Sequence, residues 1–549
     1  MKIGLMTYQW QDMESLHYLA RLTDYSLRGR HELRYCPPQY LQISRDQRMA
    51  LVKEWVEGCD VLVIPVDEMV LRARSEVVGN KPPSVTFLMG GPSRGGRNVA
   101  SICQYLRTSD VLIGNCVAEV EQCRALLPDA TLRMLPFPVD DTKFYPESPG
   151  VIEAAKRYLG VDPRSKIVAY SGRLSLEKNV HTLLKVFSVV QQNVPDSVLV
   201  IAGTETNASF GEFGVFALEV TRMLKKLIPA LGIDPGRIRF VGQRGPDELR
   251  ALYNIADLVL NLTLNHDENF GLAQVEAMLC GTPVIGTNWG GLRDTIIEGV
   301  TGKKVSALLT RGGVKVNWWQ AAQTVVDELR SSADRETVRQ KCRTATLERY
   351  SLTRYRDDLE QILAECMALK NVEREPVTPS CFATDLWALF TDGDCIPPYR
   401  RGPKGLQMYR QLVTPLMGDA DNSRPVAVTV SSNQVVCLAT PVVERSSGCL
   451  DINDPIFPMV VDVPEDLRPI VSRIIQVLQC KSVSRADELL DHPDPAELGN
   501  ALTWMSEAGI ILANTCTAGN WLNSAGGGRE EPAFNIVPVD HSVDVLYIH

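Results

Sequence analysis

Short apolar runs alternate with amphipathic stretches along the first two-thirds of the chain, the pattern of strands and helices in a parallel sheet. Lys2–Met6, Val61–Pro65, Ser84–Leu88 and Val111–Gly114 are expected as buried strands. A proline-rich break, Pro136-Phe137-Pro138-Val139-Asp140 followed by Phe144-Tyr145-Pro146, reads as a linker. The pattern then restarts. Lys166–Ser171, Ser197–Ala202, Arg237–Val241, Asp257–Leu262 and Pro283–Thr287 are expected as strands, Asn179–Gln192 and Pro246–Asn254 as helices. Glu348–Lys370 reads as one closing amphipathic helix.

Beyond residue 371 the character changes. Prolines and glycines crowd 371–425, and Pro425–Thr440 alternates like a hairpin. Glu465–Cys480, Ser484–His492 and Pro495–Gly509 read as three helices, with Ile510-Ile511-Leu512 starting a strand after a glycine stop. The expected plan is a first α/β domain over 1–145, a second over 146–347, a crossover helix over 348–370, and an α+β accessory domain over 371–549 with a winged-helix-like part at about 463–525.

Composition narrows the functions. With 45% hydrophobic and 22% charged residues the chain is an ordinary globular protein. The formal net charge of -9 disfavours nucleic acid as a partner. Most of the excess lies in 371–549, with about 12 Lys/Arg against about 23 Asp/Glu. The expected third helix of the winged-helix-like part, Pro495–Gly509, carries no Lys or Arg, so a protein, peptide or structural role suits it better than DNA. The 14 cysteines form no C-x-x-C pair, and no apolar run is long enough for a signal or spanning segment, which leads to a cytoplasmic expectation.

Two stretches carry chemistry. In Tyr170-Ser171-Gly172-Arg173-Leu174-Ser175-Leu176-Glu177-Lys178-Asn179 a strand ends, a glycine turns, and a helix begins, so Arg173 and Lys178 fall at the carboxyl end of a strand, where open α/β sheets bind ligands. In Asp267-Glu268-Asn269-Phe270-Gly271-Leu272-Ala273-Gln274-Val275-Glu276, Glu268 precedes a glycine-containing helix start and Glu276 lies eight residues on, about two turns later, so both are expected near one helix face. The backbone N–H groups at Phe270–Ala273 form an anion site at the start of that helix. Two cations and a helix end can meet the charge of a departing diphosphate without a metal. A carboxylate such as Glu276 can hold ribose hydroxyls, and Glu268 can orient a sugar hydroxyl.

The segment Gly172-Arg173-Leu174…Glu177-Lys178, followed by Glu268-x7-Glu276, resembles the family-4 glycosyltransferases of the GT-B fold. Ile255-Ala256-Asp257, Gly281-Thr282-Pro283-Val284 and Glu298-Gly299-x-x-Gly302 also fit. The resemblance covers roughly 1–370 and is strongest over 165–305. It implies two Rossmann-like domains facing a cleft, and retaining transfer of a hexose from a UDP- or GDP-sugar to a hydroxyl acceptor, with no cofactor or metal. It implies Arg173, Lys178 and Glu268 as catalytic residues. Gly172, Gly203, Gly242, Phe270, Gly271, Leu272 and Glu276 would hold the donor.

The acceptor side departs from the family. The family's glycine pair after the first strand is replaced by Thr7-Tyr8-Gln9-Trp10-Gln11, and the loop Gly90-Gly91-Pro92-Ser93-Arg94-Gly95-Gly96-Arg97 is the substitute. Tyr8, Trp10, Gly90, Gly91 and Arg94 are therefore the acceptor candidates; the acceptor is unidentified, a lipid, glycan, small metabolite or peptide, with the acidic extension favouring a soluble acceptor or a peptide over a lipid. The alternative is a non-catalytic nucleotide-sugar-binding scaffold whose 371–549 part holds a protein partner. His266 and His181 read as structural, and Asp392-Gly393-Asp394 as an acidic loop rather than a metal motif.

Overall fold

The computed structural model describes residues 1–7, 14–37, 44–77, 81–88, 102–205, 220–369, 375–391, 402–418, 434–445, 448–457, 459–481, 483–486 and 494–515, with residues 428, 430 and 489 between them. Two six-stranded parallel sheets organise the first part. The first runs in the order β2-β1-β3-β4-β5-β6, with β1 Lys2–Leu5, β2 Glu32–Tyr35, β3 Val61–Pro65, β4 Ser84–Phe87, β5 Val111–Gly114 and β6 Thr131–Met134. The second runs β12-β11-β10-β7-β8-β9, with β7 Lys166–Ser171, β8 Ser197–Ala202, β9 Ile238–Gly242, β10 Leu258–Asn261, β11 Val284–Thr287 and β12 Gly302–Val305. Their inner strands are buried on both faces, which is why they stand out as unbroken apolar runs.

Each sheet reverses its strand order once, the first beside β1 and β3, the second between β7 and β10. Such reversals open a crevice at the carboxyl ends of the strands. The second sheet therefore places the loops after β7 and β10 side by side.

The closing helix differs from expectation. It is two helices, Arg335–Tyr350 and Leu352–Ala368, parted at Ser351. Ser351 has ψ 150° and its side chain accepts from Arg354 N, so it caps the second helix and stops the first. That second helix reaches the first domain: Tyr355 OH lies 2.7 Å from Thr23 Oγ1, and Glu360 pairs with His31 at 3.0 Å. The proline-rich linker is packed rather than loose, with Phe137, Val139 and Phe144 buried and Val139 N donating to Tyr350 O at 2.9 Å.

After a hairpin of β13 Ala307–Thr310 and β14 Gly313–Val316 and the two closing helices, the extension adds two antiparallel sheets. One has the order β19-β15-β20 (β15 Gln434–Leu438, β19 Val483–Arg485, β20 Ile511–Thr515); the other is β16-β17-β18 (β16 Val442–Glu444, β17 Cys449–Ile452, β18 Met459–Asp462). Of Pro425–Thr440, expected as a hairpin, residues 425–427, 429 and 431–433 lie outside the described residues, and the buried stretch Gln434–Leu438 is the centre of a sheet whose partners lie far along the chain. No helix starts at Ser484, because Val483–Arg485 pairs with β15; residues 487–488 and 490–493 lie outside the described residues. Among the described residues of 463–525 the helices are Arg468–Lys481 and Pro495–Glu507, and residues 516–525 also lie outside the description.

The extension packs against the second domain rather than hanging from it. Trp318 Nε1 donates to Leu438 O at 3.0 Å, and Arg311 N to Glu507 O at 2.8 Å. The segment 402–418 reaches both domains. Gln122 Nε2 donates to Leu412 O at 2.7 Å, and Gly290 N donates to Leu416 O at 2.7 Å.

Candidate active site

The loop after β7 is built to place Lys178. Gly203 comes so close to Gly172 that a Cβ on it would lie 1.8 Å from Gly172 O, so only glycine allows the two strand ends to meet. Gly203 N donates to Gly242 O at 2.8 Å, which brings the end of β9 into the same layer. Tyr170 OH donates to Arg173 O at 2.8 Å, and Leu174 N to Thr204 O at 2.9 Å. Glu177 O accepts from Leu264 N at 3.0 Å and from Thr263 Oγ1 at 3.3 Å, stitching the loop to the one after β10. Asn179 takes φ 57° and its Nδ2 donates to Leu262 O at 3.0 Å, after which the Val180–Asn193 helix begins.

This stitching sets Lys178 Nζ 2.5 Å from Glu268 Oε2, with only 15% and 10% of the two side chains exposed. Arg173 Nη2 is 3.4 Å from Glu177 Oε1, and its side chain keeps 34% exposure. Glu177 is buried, accepts from Ser175 Oγ, and has one carboxylate oxygen without a partner. It offers Arg173 an anchor that a polyanion can compete with.

Glu268 precedes the helix start, as expected: it belongs to the loop before the Leu272–Leu279 helix, because Gly271, at φ 78°, turns the chain into the helix three residues later. Gly291 N donates to Glu268 O at 2.5 Å and fixes that loop from behind. The first-turn amides of this helix, Leu272 and Ala273, have no intrahelical acceptor. The Phe270 side chain packs against Phe137 and Tyr350, with ring centroids 5.4 and 5.2 Å apart, so it belongs to the core and not to a ligand surface. Leu272 is half-buried against the domain core.

Glu276 lies on the helix itself. Tyr253 OH donates to its Oε2 at 3.4 Å and lies 2.8 Å from Ser171 Oγ. Burial, helped by the Glu276 charge, pushes the Tyr253 phenol far up. Tyr18, on the first domain's Glu14–Leu27 helix, is raised by burial and then by the charges of Asp140 and Glu276. Glu276 is therefore within electrostatic reach of Tyr18 on the first domain.

Sequence reasoning missed the polar bridge between the domains. Asn269 Nδ2 donates to Asn115 Oδ1 at 3.1 Å and to Glu119 Oε1 at 3.2 Å, and Val117 N donates to Asp294 Oδ2 at 2.7 Å. Burial raises the Asp294 carboxyl. The available signal was Asn115 and Glu119, two polar residues directly after the buried strand β5. Tyr8, Trp10, Gly90, Gly91 and Arg94 lie outside the described residues, as do Asp392, Gly393 and Asp394. Among the described residues no group of three or more His, Cys, Asp or Glu is placed to hold a metal, and no helix is long and apolar enough to cross a membrane.

His266 is walled in by Trp289 and Tyr409, with ring centroids 5.5 and 6.0 Å away. Burial lowers its pKa from 6.5 to about 3, and that of His181 from 6.5 to about 4. Unfolding frees both rings to take a proton, so the unfolded chain binds more protons between those values and stability rises with pH there. Melting temperature is accordingly expected to fall as pH drops from about 6.5 towards 4. Thermal melts of His266→Gln against the parent over that range check it: the variant should show the shallower decline, and parallel curves would contradict this.

Comparisons with known proteins converge on the same region. The family model for glycosyl transferases group 1 matches residues 151–306. D-inositol 3-phosphate glycosyltransferase of Corynebacterium urealyticum is 33% identical over 204 residues, 36% of this chain and 45% of that one. Its counterpart in Rhodococcus opacus is 33% identical over 229 residues, 41% of this chain and 47% of that one. Each match thus spans less than half of the relative's own length. Among solved structures, a glycosyltransferase from Rickettsia africae aligns with TM-score 0.53 at 15% identity, covering 67% of this chain and 98% of that one. Anabaena Alr3699/HepE in complex with UDP aligns with TM-score 0.51 at 19% identity, covering 66% and 100%. The match to glycosyl transferases group 1 thus falls on residues 151–306, and the paired Rossmann-like sheets have the GT-B fold.

Proposed function

We propose that the protein is a retaining glycosyltransferase that moves a hexose from a UDP- or GDP-sugar to a hydroxyl acceptor without a metal. One observation carries this reading: Lys178 and Glu268 meet at 2.5 Å beside the strand-order reversal, next to the amino end of the helix that bears Glu276. Leaving-group charge needs positive partners already in place. Lys178, Arg173 and the amides of Leu272 and Ala273 supply them on one side of the cleft. Glu268, released from its pair when Lys178 turns to the diphosphate, orients a sugar hydroxyl. The departing diphosphate takes the proton of the incoming hydroxyl as the new glycosidic bond forms on the same face.

Glu276 takes the ribose hydroxyls in this reading. Hydrogen bonds to a charged group contribute about 1.5–3 kcal/mol. Glu276→Ala is therefore expected to raise the donor KM by roughly 10–100-fold with the fold intact. The decisive experiment screens UDP- and GDP-hexoses for transfer, with inositol phosphate among the acceptors because the curated relatives carry that name. Transfer that persists in EDTA and weakens in Glu276→Ala supports the proposal. Donor binding without transfer to any acceptor in the screen would favour the scaffold reading instead, and an unaltered donor KM would remove Glu276 from the site.

A further inference from the structure

A second cavity lies behind the donor loop, between the Val180–Asn193 helix, the Val220–Ala230 helix and the extension. Its volume is about 130 Å³, close to the roughly 150 Å³ of an engineered cavity that holds one benzene. Met223, Leu227, Leu231, Val316 and Ile456 give it apolar walls. One part of the lining is different, for it holds His181, Lys185, Lys315 and Asp454.

These polar groups are unevenly satisfied. Asp454 is fully engaged: Oδ1 accepts from Ile456 N at 2.8 Å and Phe457 N at 2.9 Å, and Oδ2 pairs with Lys315. Lys185 donates one hydrogen bond, to Leu438 O at 3.0 Å, and its Nζ lies 4.2 Å from the Trp318 ring centroid. Its other ammonium protons meet no acceptor among the described residues. His181 Nδ1 is buried with no hydrogen-bond partner. Two lysines against one aspartate leave one positive charge in excess in the lining, and its carrier, Lys185, retains donors to spend. Burial lowers the Lys185 pKa to about 8, the response of an ammonium short of a counter-ion.

We infer that this cavity binds a small monoanion made of one apolar ring-sized body and a carboxylate, the carboxylate seated between Lys185 and His181. The apolar body replaces water against the leucine and methionine walls, and the carboxylate supplies the missing charge and acceptors. Asn179, the residue after Lys178, and Leu264 line the same cavity, so the occupant rests directly against the back of the donor loop. A cavity of about 130 Å³ with mostly apolar walls is too small for a nucleotide sugar, and the inference stands independently of the proposed transferase activity.

The test is calorimetric titration of the full chain with phenylacetate, and with phenylacetamide and 2-phenylethylamine as neutral and cationic matches of its shape. Saturable 1:1 binding of phenylacetate is expected, with the amide and the amine at least about tenfold weaker, which is about 1.4 kcal/mol. Lys185→Met should weaken phenylacetate by a similar factor, and Leu227→Trp, which fills the cavity without changing charge, should abolish binding. Melting curves establish that each variant is folded. Should either fail to fold, the ranking of the three probes on the unaltered chain still decides. Absence of saturable phenylacetate binding at roughly 10 mM, equal binding of the amine or amide, or full binding by a folded Leu227→Trp variant would each overturn the inference.

Discussion

Lys178→Met is expected to lower kcat/KM for transfer by about 10²–10³-fold, the usual effect of removing one preorganised partner of transition-state charge. The same substitution disturbs the resting protein, because Glu268 then holds a carboxylate only 10% exposed with its cation gone. Removing one member of a buried pair is strongly destabilising, whereas neutralising both members is far less so. Pairing Lys178→Met with Glu268→Gln separates the two roles. The double variant should recover most of the melting temperature lost by the single one while transfer stays at the lower rate. Steady-state kinetics with a working donor, beside melting curves of the three variants, make the check. If kcat/KM of Lys178→Met remains within a few-fold of the parent, the lysine does not face the diphosphate. If activity returns with stability in the double variant, its role is structural.

How the site was legible follows from what burial does to sequence. Strands such as Val61–Pro65 and Ser197–Ala202 are enclosed on both faces and spell out apolar runs, so their bounds agree with the pattern. The edge strands Glu32–Tyr35 and Gly302–Val305 leave no such run: they are part polar, and neither was anticipated. The family resemblance assigns Lys178 and Glu268, ninety positions apart, to one site; it does not anticipate that they form an ion pair, and they meet because β7 and β10 are neighbours across the strand-order reversal. Glu268 precedes the helix that carries Glu276, as the glycine at 271 indicates, but spacing alone does not show how the loop before that helix is held. Contacts between distant segments leave still less trace. Nothing local in Tyr409 announces that its hydroxyl reaches His266 at 3.4 Å, and nothing in Gly290 announces Leu416. The extension was misread for the same reason, since Gln434–Leu438 pairs with strands about fifty and eighty residues downstream rather than with its neighbours.

The largest loss of stability is expected in the first domain. Arg74 is 1% exposed there and grips Asp110 with both arms, Nη1 to Oδ1 at 2.6 Å and Nη2 to Oδ2 at 2.7 Å. Nη2 also donates to Tyr105 O at 2.8 Å, while Asp110 accepts from Ser84 N at 2.8 Å and Arg107 N at 2.9 Å. The pair thus ties the Glu68–Glu76 helix to the start of β4 and to the turn before β5. That turn continues outward, since Thr108 N donates to Glu375 O at 3.1 Å. Arg74→Met keeps the aliphatic stem but leaves a carboxylate without its cation and Tyr105 O without its donor. The expected cost is about 3–5 kcal/mol, a large share of the 5–15 kcal/mol that holds a typical domain folded. Urea unfolding followed by tryptophan fluorescence measures it. Adding Asp110→Leu to Arg74→Met should cost less than the two single losses combined, because the charge left behind is removed with its partner. Strict additivity, or a single-variant loss below about 1 kcal/mol, would mean that the ion pair holds neither strand in place.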